Sequence, residues 1–223
     1  MRARKIETLA RKRLLPSLAG FDVSRTVLYR QPVSPVLRGF VFEDSGFDGN
    51  VVYVWVFVLP LYVPSKHLTF TLGHRLENRK GLFQKSGRWV LDDPPDDAEI
   101  NSMLKAMQTR GIPYLDRLDT PQDLVEHLTM ATKLFGNVFV EQAIAFSLAK
   151  LGKLEAARSK LESLKRTVKP TDPWHHVAST ACQLVAAIDR GTTEALLEEW
   201  TNESLHNLRL DAVKAAPSAR YTE

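Results

Sequence analysis

Cysteine is almost missing from this chain. Among 223 residues there is one, Cys182, which excludes an intrachain disulfide and any metal centre built from cysteine thiolates. It stands in an apolar helical run with Val177, Ala178, Ala181, Leu184 and Val185, where a buried, inert thiol is expected. A membrane-spanning run is lacking too. VVYVWVFVLPLYV, residues 51 to 63, is uncharged, but it falls short of the about twenty residues a spanning helix needs, and Pro60 argues against a helix interior. No secretory leader is visible, because the basic start continues into KIETLARKRLLP rather than an apolar core. A soluble protein in a reducing, cytoplasmic setting, with no membrane contact, is expected. GxSxG, P-loop, GxGxxG, HExxH and paired CxxC motifs are all missing, so the sequence assigns no catalytic residue, no cofactor and no metal ligand.

Negative charge is in slight deficit, with 26 Asp+Glu against 30 Lys+Arg, a formal charge of +4 and a pI of about 9.2. Much of the excess sits at the start, where Arg2, Arg4, Lys5, Arg11, Lys12 and Arg13 face only Glu7. A solvated helix face is the expectation there. Nucleic-acid binding by this basic first helix is the weaker alternative, since the acidic segment with Asp92, Asp93, Asp96 and Asp97 dilutes the field. That segment is expected to be an exposed helix entry rather than a cation site, its spacing being unlike an EF-hand loop.

What is present is ordinary globular material, 44% hydrophobic and 25% charged. Valines, Tyr53, Trp55 and Phe57 make residues 51 to 63 a strand. Val52, Val54, Val56 and Val58 share one face and Tyr53, Trp55, Phe57 and Leu59 the other, so the strand should be central and covered on both sides. Residues 22 to 30, 36 to 44 and 67 to 76 also read as strands, separated by the turn segments PVSP, SGFDGN and PSK. Short connections imply an antiparallel meander. A first helix over residues 2 to 15, ended by Pro16, should lie on the sheet through Ile6, Leu9, Ala10 and Leu14.

After Trp89 the pattern turns helical. Helices are expected to start in DDPPDDAEINSM and at Thr120-Pro121, with Thr120 as N-cap. Further helices are expected over 139–150, 154–165, 174–189 and 193–210, with breaks at Gly152 and Gly191. The fold class is therefore α+β: an N-terminal helix and antiparallel sheet to residue 90, an all-helical part over 91–216 sharing its core, and a frayed tail over 217–223.

The segment EQAIAFSLAKLGKLEAARSKLESLKRTVKP resembles a tetratricopeptide helical hairpin. Ile144, Ala145 and Leu148 stand on its first helix, Gly152 and Leu154 at the turn, Ala157 and Leu161 on the second, and Pro170 at the close. Glu141 occupies the position the family usually fills with Trp, and no second copy is evident. The resemblance covers residues 141–170 and implies protein or peptide binding without chemistry. Glu141, Lys150, Lys153, Arg158 and Lys165 would then flank the partner groove. A non-catalytic protein-binding module of adaptor, antitoxin or immunity type is the functional expectation. The alternative is a small enzyme or small-ligand binder using Trp55, His67, His74 and Arg75. Which applies turns on hairpin register: Trp55 opposite Arg75 would make a groove with cation–π contact, whereas a slip of one residue would leave Trp55 and Phe57 as core. Core packing is the expectation. His74 is expected to be a satisfied, semi-buried histidine, and adjacent His175-His176 are not spaced to share a metal.

Overall fold

The computed structural model describes residues 3–33, 35–79, 85–132 and 137–210. The expected tail over 217–223 lies outside them. The chain is α+β, as its patterning implies. Helix α1 (Ala3–Leu9) widens into a looser turn over Ala10–Leu14 and tightens over Leu15–Ser17, where Pro16 ends it. Ile6, Leu9, Ala10 and Leu14 form its buried stripe.

Strands β1 (Phe21–Ser24), β2 (Val27–Arg30), β3 (Val36–Asp44), β4 (Val51–Pro60), β5 (Gly73–Arg75) and β8 (Arg88–Val90) make a six-stranded sheet in the order β1-β2-β3-β4-β5, with β8 also on β4. The short strands β6 (Asn78–Arg79) and β7 (Lys85–Ser86) pair with each other. Strand β4 is central: Val51–Tyr53 pairs with β8 and Trp55–Phe57 with β5, both antiparallel. Val52, Val54, Val56 and Val58 are all buried, each removing apolar surface worth roughly 1.5–3 kcal/mol.

Two strand expectations change, and one, the end of the β4 ladder at its proline, holds. Residues 22 to 30 form a hairpin rather than one strand, because Arg25 takes a left-handed φ of 57° and turns the chain between Ser24 and Val27. Strand β4 ends at Pro60, whose missing N–H stops the ladder. Of residues 67 to 76 only Gly73–Arg75 is strand; Leu72 still accepts from the Val58 N–H at 2.8 Å, but the alternating residues before it, with His67 and Thr69, are irregular.

Helix α2 (Asp97–Ala106) is capped by Asp96, whose carboxylate accepts from the Ala98 N–H at 2.9 Å. It runs through a wide turn into α3 (Ile112–Asp116). Helix α4 (Pro121–Thr132) opens on a reciprocal cap: Thr120 Oγ1 accepts from the Asp123 N–H at 3.1 Å, and Asp123 Oδ2 accepts from the Thr120 N–H at 2.8 Å. Helices α5 (Val138–Lys150), α6 (Leu154–Thr167), α7 (His175–Arg190) and α8 (Thr193–Asn207) follow, each packed on its predecessor.

The chain divides into two compact units. One comprises residues 1–33, 37–58 and 72–117; the other comprises 34–36, 59–71 and 118–223. Helices α2 and α3, grouped at the sequence level with the helical part, thus belong with the sheet. In the helical unit, Ala145, Ala157 and Leu161 are fully buried where α5 and α6 pack, small side chains letting the axes approach. Gly152, at φ 72°, closes α5: its N–H bonds to Ala149 O and that of Lys153 to Leu148 O. The α7–α8 pair repeats this closure with Gly191 at φ 69°, Ile188 and Ala187. A second hairpin of the same local geometry therefore stands at the break expected at Gly191. Cys182 is exposed rather than buried, one position off the stripe formed by Val177, Ala181, Leu184 and Val185.

Candidate functional sites

On the sheet, Trp55 stands opposite Arg75. The core-packing expectation for Trp55 is thereby corrected. Phe57 is buried, while Tyr53 and Trp55 remain half-buried. The Arg75 guanidinium carbon lies 4.1 Å from the Tyr53 ring centroid and 4.9 Å from that of Trp55. One carboxylate oxygen of Glu43 accepts from Arg75 at 2.9 Å and from the Trp55 indole N–H at 2.8 Å. Three strands thus converge on one cross-strand cluster, in which Glu43 neutralises Arg75 and two rings shield it. Glu43 and Tyr53 were missed at the sequence level. Their signal was parity: both lie on the face that Trp55 occupies.

His74 and His67 do not join this cluster. His74 pairs with Val56 in the ladder and so points to the other face. Its ring meets Tyr114 edge-on at 4.9 Å. The residue is exposed rather than semi-buried, and partial desolvation lowers its pKa, as does the Arg110 charge, while Glu77 opposes them. A neutral imidazole is the result near pH 7. His67 is exposed in the irregular segment before β5.

The helical unit carries a groove of about 760 Å³, lined on α5 by Val138, Phe139 and Glu141, on α6 by Lys160 and Leu164, and before α7 by Asp172 and Trp174. Trp174 is 40% exposed, an unusual state for so large an apolar side chain. Asn137 caps α5, accepting from the Phe139 N–H at 2.9 Å. Lys160 pairs with Glu141 at 2.7 Å across the two helices. Of the charges expected to flank a partner, Glu141 lines this groove. Arg158 instead ties α6 to Asp189 of α7 at 2.6 Å, Lys153 reaches Gln122 of α4 at 3.0 Å, and Lys165 pairs with Glu162 at 2.9 Å. Lys150 ends α5 and is half-buried. Phe139, Lys160 and Trp174 are among the groove residues that sequence reasoning passed over.

His175 and His176 have ring centroids 6.4 Å apart, and His176 lies 6.1 Å from Phe139. Burial lowers the His176 pKa, with His175 and Lys66 adding to the shift. Among the described residues no group of three or more His, Cys, Asp or Glu is placed to hold a metal ion, and no helix is long and apolar enough to cross a membrane. The acidic residues Asp92, Asp93, Asp96 and Asp97 at the α2 entry are exposed, as expected, and two pair with the basic first helix: Lys5 with Asp93 at 2.7 Å, and Arg13 with Asp97. Comparison with protein-family models, with curated proteins and with solved structures returns no match for this chain.

Proposed function

We propose that this chain is a non-catalytic protein-binding module of adaptor, antitoxin or immunity type, and that its recognition surface is the groove on the α5–α6 hairpin. The observation that carries this reading is the exposed Trp174 beside Phe139, Val138 and Leu164, rimmed by the Lys160–Glu141 pair. Aromatic anchors in a concave apolar site with a charged rim are the usual centre of a protein interface. The resemblance of residues 141–170 to a tetratricopeptide hairpin points the same way. The partner chemistry follows from charge. Glu141 and Asp172 line the groove with Lys160, and Arg166 and Lys169 stand near it in the chain, so a segment with an apolar anchor and flanks of both signs is the complement.

The test compares capture from the source cell by the native chain and by a Trp174→Ala, Lys160→Glu variant with unchanged circular dichroism. A protein retained by the first and lost by the second, one segment of which alone competes, supports the reading. Equal retention by both variants defeats it. A second reading, small-ligand binding at the sheet face, is favoured by the observed opposition of Trp55 and Arg75. It predicts a co-purifying metabolite, seen by native mass spectrometry, that Trp55→Ala releases.

A further inference from the structure

The basic first helix borders a second groove, of about 770 Å³, wholly within the sheet unit. That size suits a nucleotide-sized ligand. Its apolar part is Leu9, Leu91 and Pro95, and its polar part includes Arg4, Lys5, Lys12, Arg13, Asn50, Asp92 and Asp93. The charges on the two sides are not equally available. Lys5 is spent on Asp93 at 2.7 Å, and this bond holds the Asp93 carboxyl below its usual range. Asp92 accepts from the Asn50 amide at 3.2 Å, and Arg13 is paired with Asp97. Arg11 turns away from the groove, bonding to Glu7 at 3.0 Å and to the Val23 carbonyl at 2.8 Å. Arg4 and Lys12 are left: both are exposed, both line the groove, and neither has an ion-pair partner among the described residues. Eight positions apart, they stand about 12 Å from each other along the helix on one side of it.

We propose that this groove binds a phosphorylated organic anion of nucleotide size, with the organic body on Leu9, Leu91 and Pro95 and the phosphates bridging Arg4 and Lys12. The lining carries Arg4, Lys5, Lys12 and Arg13 against Asp92 and Asp93, so its net charge is positive and favours an anion. A di- or triphosphate chain spans more of that separation than a single carboxylate does, and it offers the oxygens that a guanidinium fork and an ammonium recognise. The pairs Lys5–Asp93 and Arg13–Asp97 then act as fixed supports that orient the helix edge. This site is independent of the one on the helical unit, and its failure would leave the protein-binding reading untouched.

The experiment is a calorimetric titration of the whole chain at low salt with ATP, inorganic pyrophosphate and adenosine as separate probes. ATP should bind most tightly, because only it engages both the apolar and the cationic part. Each lost charge-assisted bond should weaken binding by about tenfold or more, so Arg4→Gln with Lys12→Gln should abolish measurable ATP binding while Arg11→Gln leaves it unchanged. Equal ATP affinity in the double variant and the native chain overturns the proposal. So does no ATP binding by the native chain, or a single-stranded oligonucleotide bound more than tenfold more tightly than ATP, which would make the helix a nucleic-acid surface.

Discussion

Gly39 sits where a side chain has no room. A Cβ there would collide with the Leu28 carbonyl oxygen and lie 2.9 Å from the Tyr29 Cα, and both are backbone atoms of β2 held by pairing with β3. Gly39→Ala can be accommodated only by opening that pairing, so a loss of about 1–3 kcal/mol or more is expected in urea denaturation. Gly46→Ala, with nothing within 4 Å, should be close to neutral, and equal stability of the two variants would refute the packing argument. Glu43→Gln tests the sheet-face cluster. The amide oxygen can still accept from Trp55, but the charge facing Arg75 is lost, and both Glu43 and Arg75 are nearly half exposed. A cost of only about 0.2–1 kcal/mol is expected, accompanied by a change in Trp55 fluorescence. Register was the residue-scale feature least legible in the sequence, because β4 is apolar on both faces and a slip of one, which exchanges those faces, leaves no mark in its pattern. A usable signal existed in Gly73: opposite Phe57 it leaves room that an alanine would not, its Cβ falling 3.3 Å from that of Phe57.

At the scale of elements, the helices were legible and the short strands were not. Helix ends carry chemical marks in single residues: Asp96, Thr120 with Asp123, Asn137, Gly152 and Gly191 all sit at caps or closures. A strand carries no such mark, only alternation, and alternation persists in residues 67 to 71, which take no strand conformation. The β1–β2 hairpin was hidden for the opposite reason. Its turn puts Arg25 at φ 57°, a conformation normally flagged by Gly or Asn. Left-handed backbone costs a non-glycine residue about 1 kcal/mol, so Arg25→Gly should stabilise the protein by an amount of that order, read as a raised urea midpoint. Gly152→Ala, at φ 72° with open space around it, should lose a similar amount. If both variants shift in the same direction, backbone strain is not what these positions report.

At the scale of the whole molecule, acid should weaken the fold. His74 in the sheet unit and His176 in the helical unit both have pKa values lowered from 6.5, chiefly by burial. Below 6.5 the unfolded chain takes up protons that the folded chain refuses, so stability rises with pH through the window between the folded values and 6.5, and falls on acidification through it. Melting temperatures measured between about pH 7 and pH 5 should drop, and His74→Gln with His176→Gln should flatten the slope; a melting temperature that climbs on acidification would contradict the assignment. The division into units leads to a sharper prediction. The change of pattern after Trp89 told where helices begin, not which core they join, and nothing in residues 59 to 71 signalled membership of the helical unit. Yet Tyr62 is fully buried there, its hydroxyl 2.6 Å from Ser147 Oγ, which itself donates to the Ala143 carbonyl at 2.7 Å. The Ser65 N–H donates to Ser204 Oγ at 3.3 Å, and the Asn207 amide donates to the Ser65 carbonyl at 3.1 Å. A fragment of residues 118–223 contains every helix of that unit but lacks this segment. It would keep a cavity the size of a tyrosine, where deletion of a buried aromatic ring alone costs about 3–5 kcal/mol, set against a total stability of about 5–15 kcal/mol for a domain. The fragment should be helical by circular dichroism but melt without a cooperative transition. Adding back a synthetic peptide of residues 59–71 should restore a sharp transition, and the same peptide with Tyr62→Ala should not. A cooperative melt from the fragment alone would show that residues 59–71 lie on this unit without building its core.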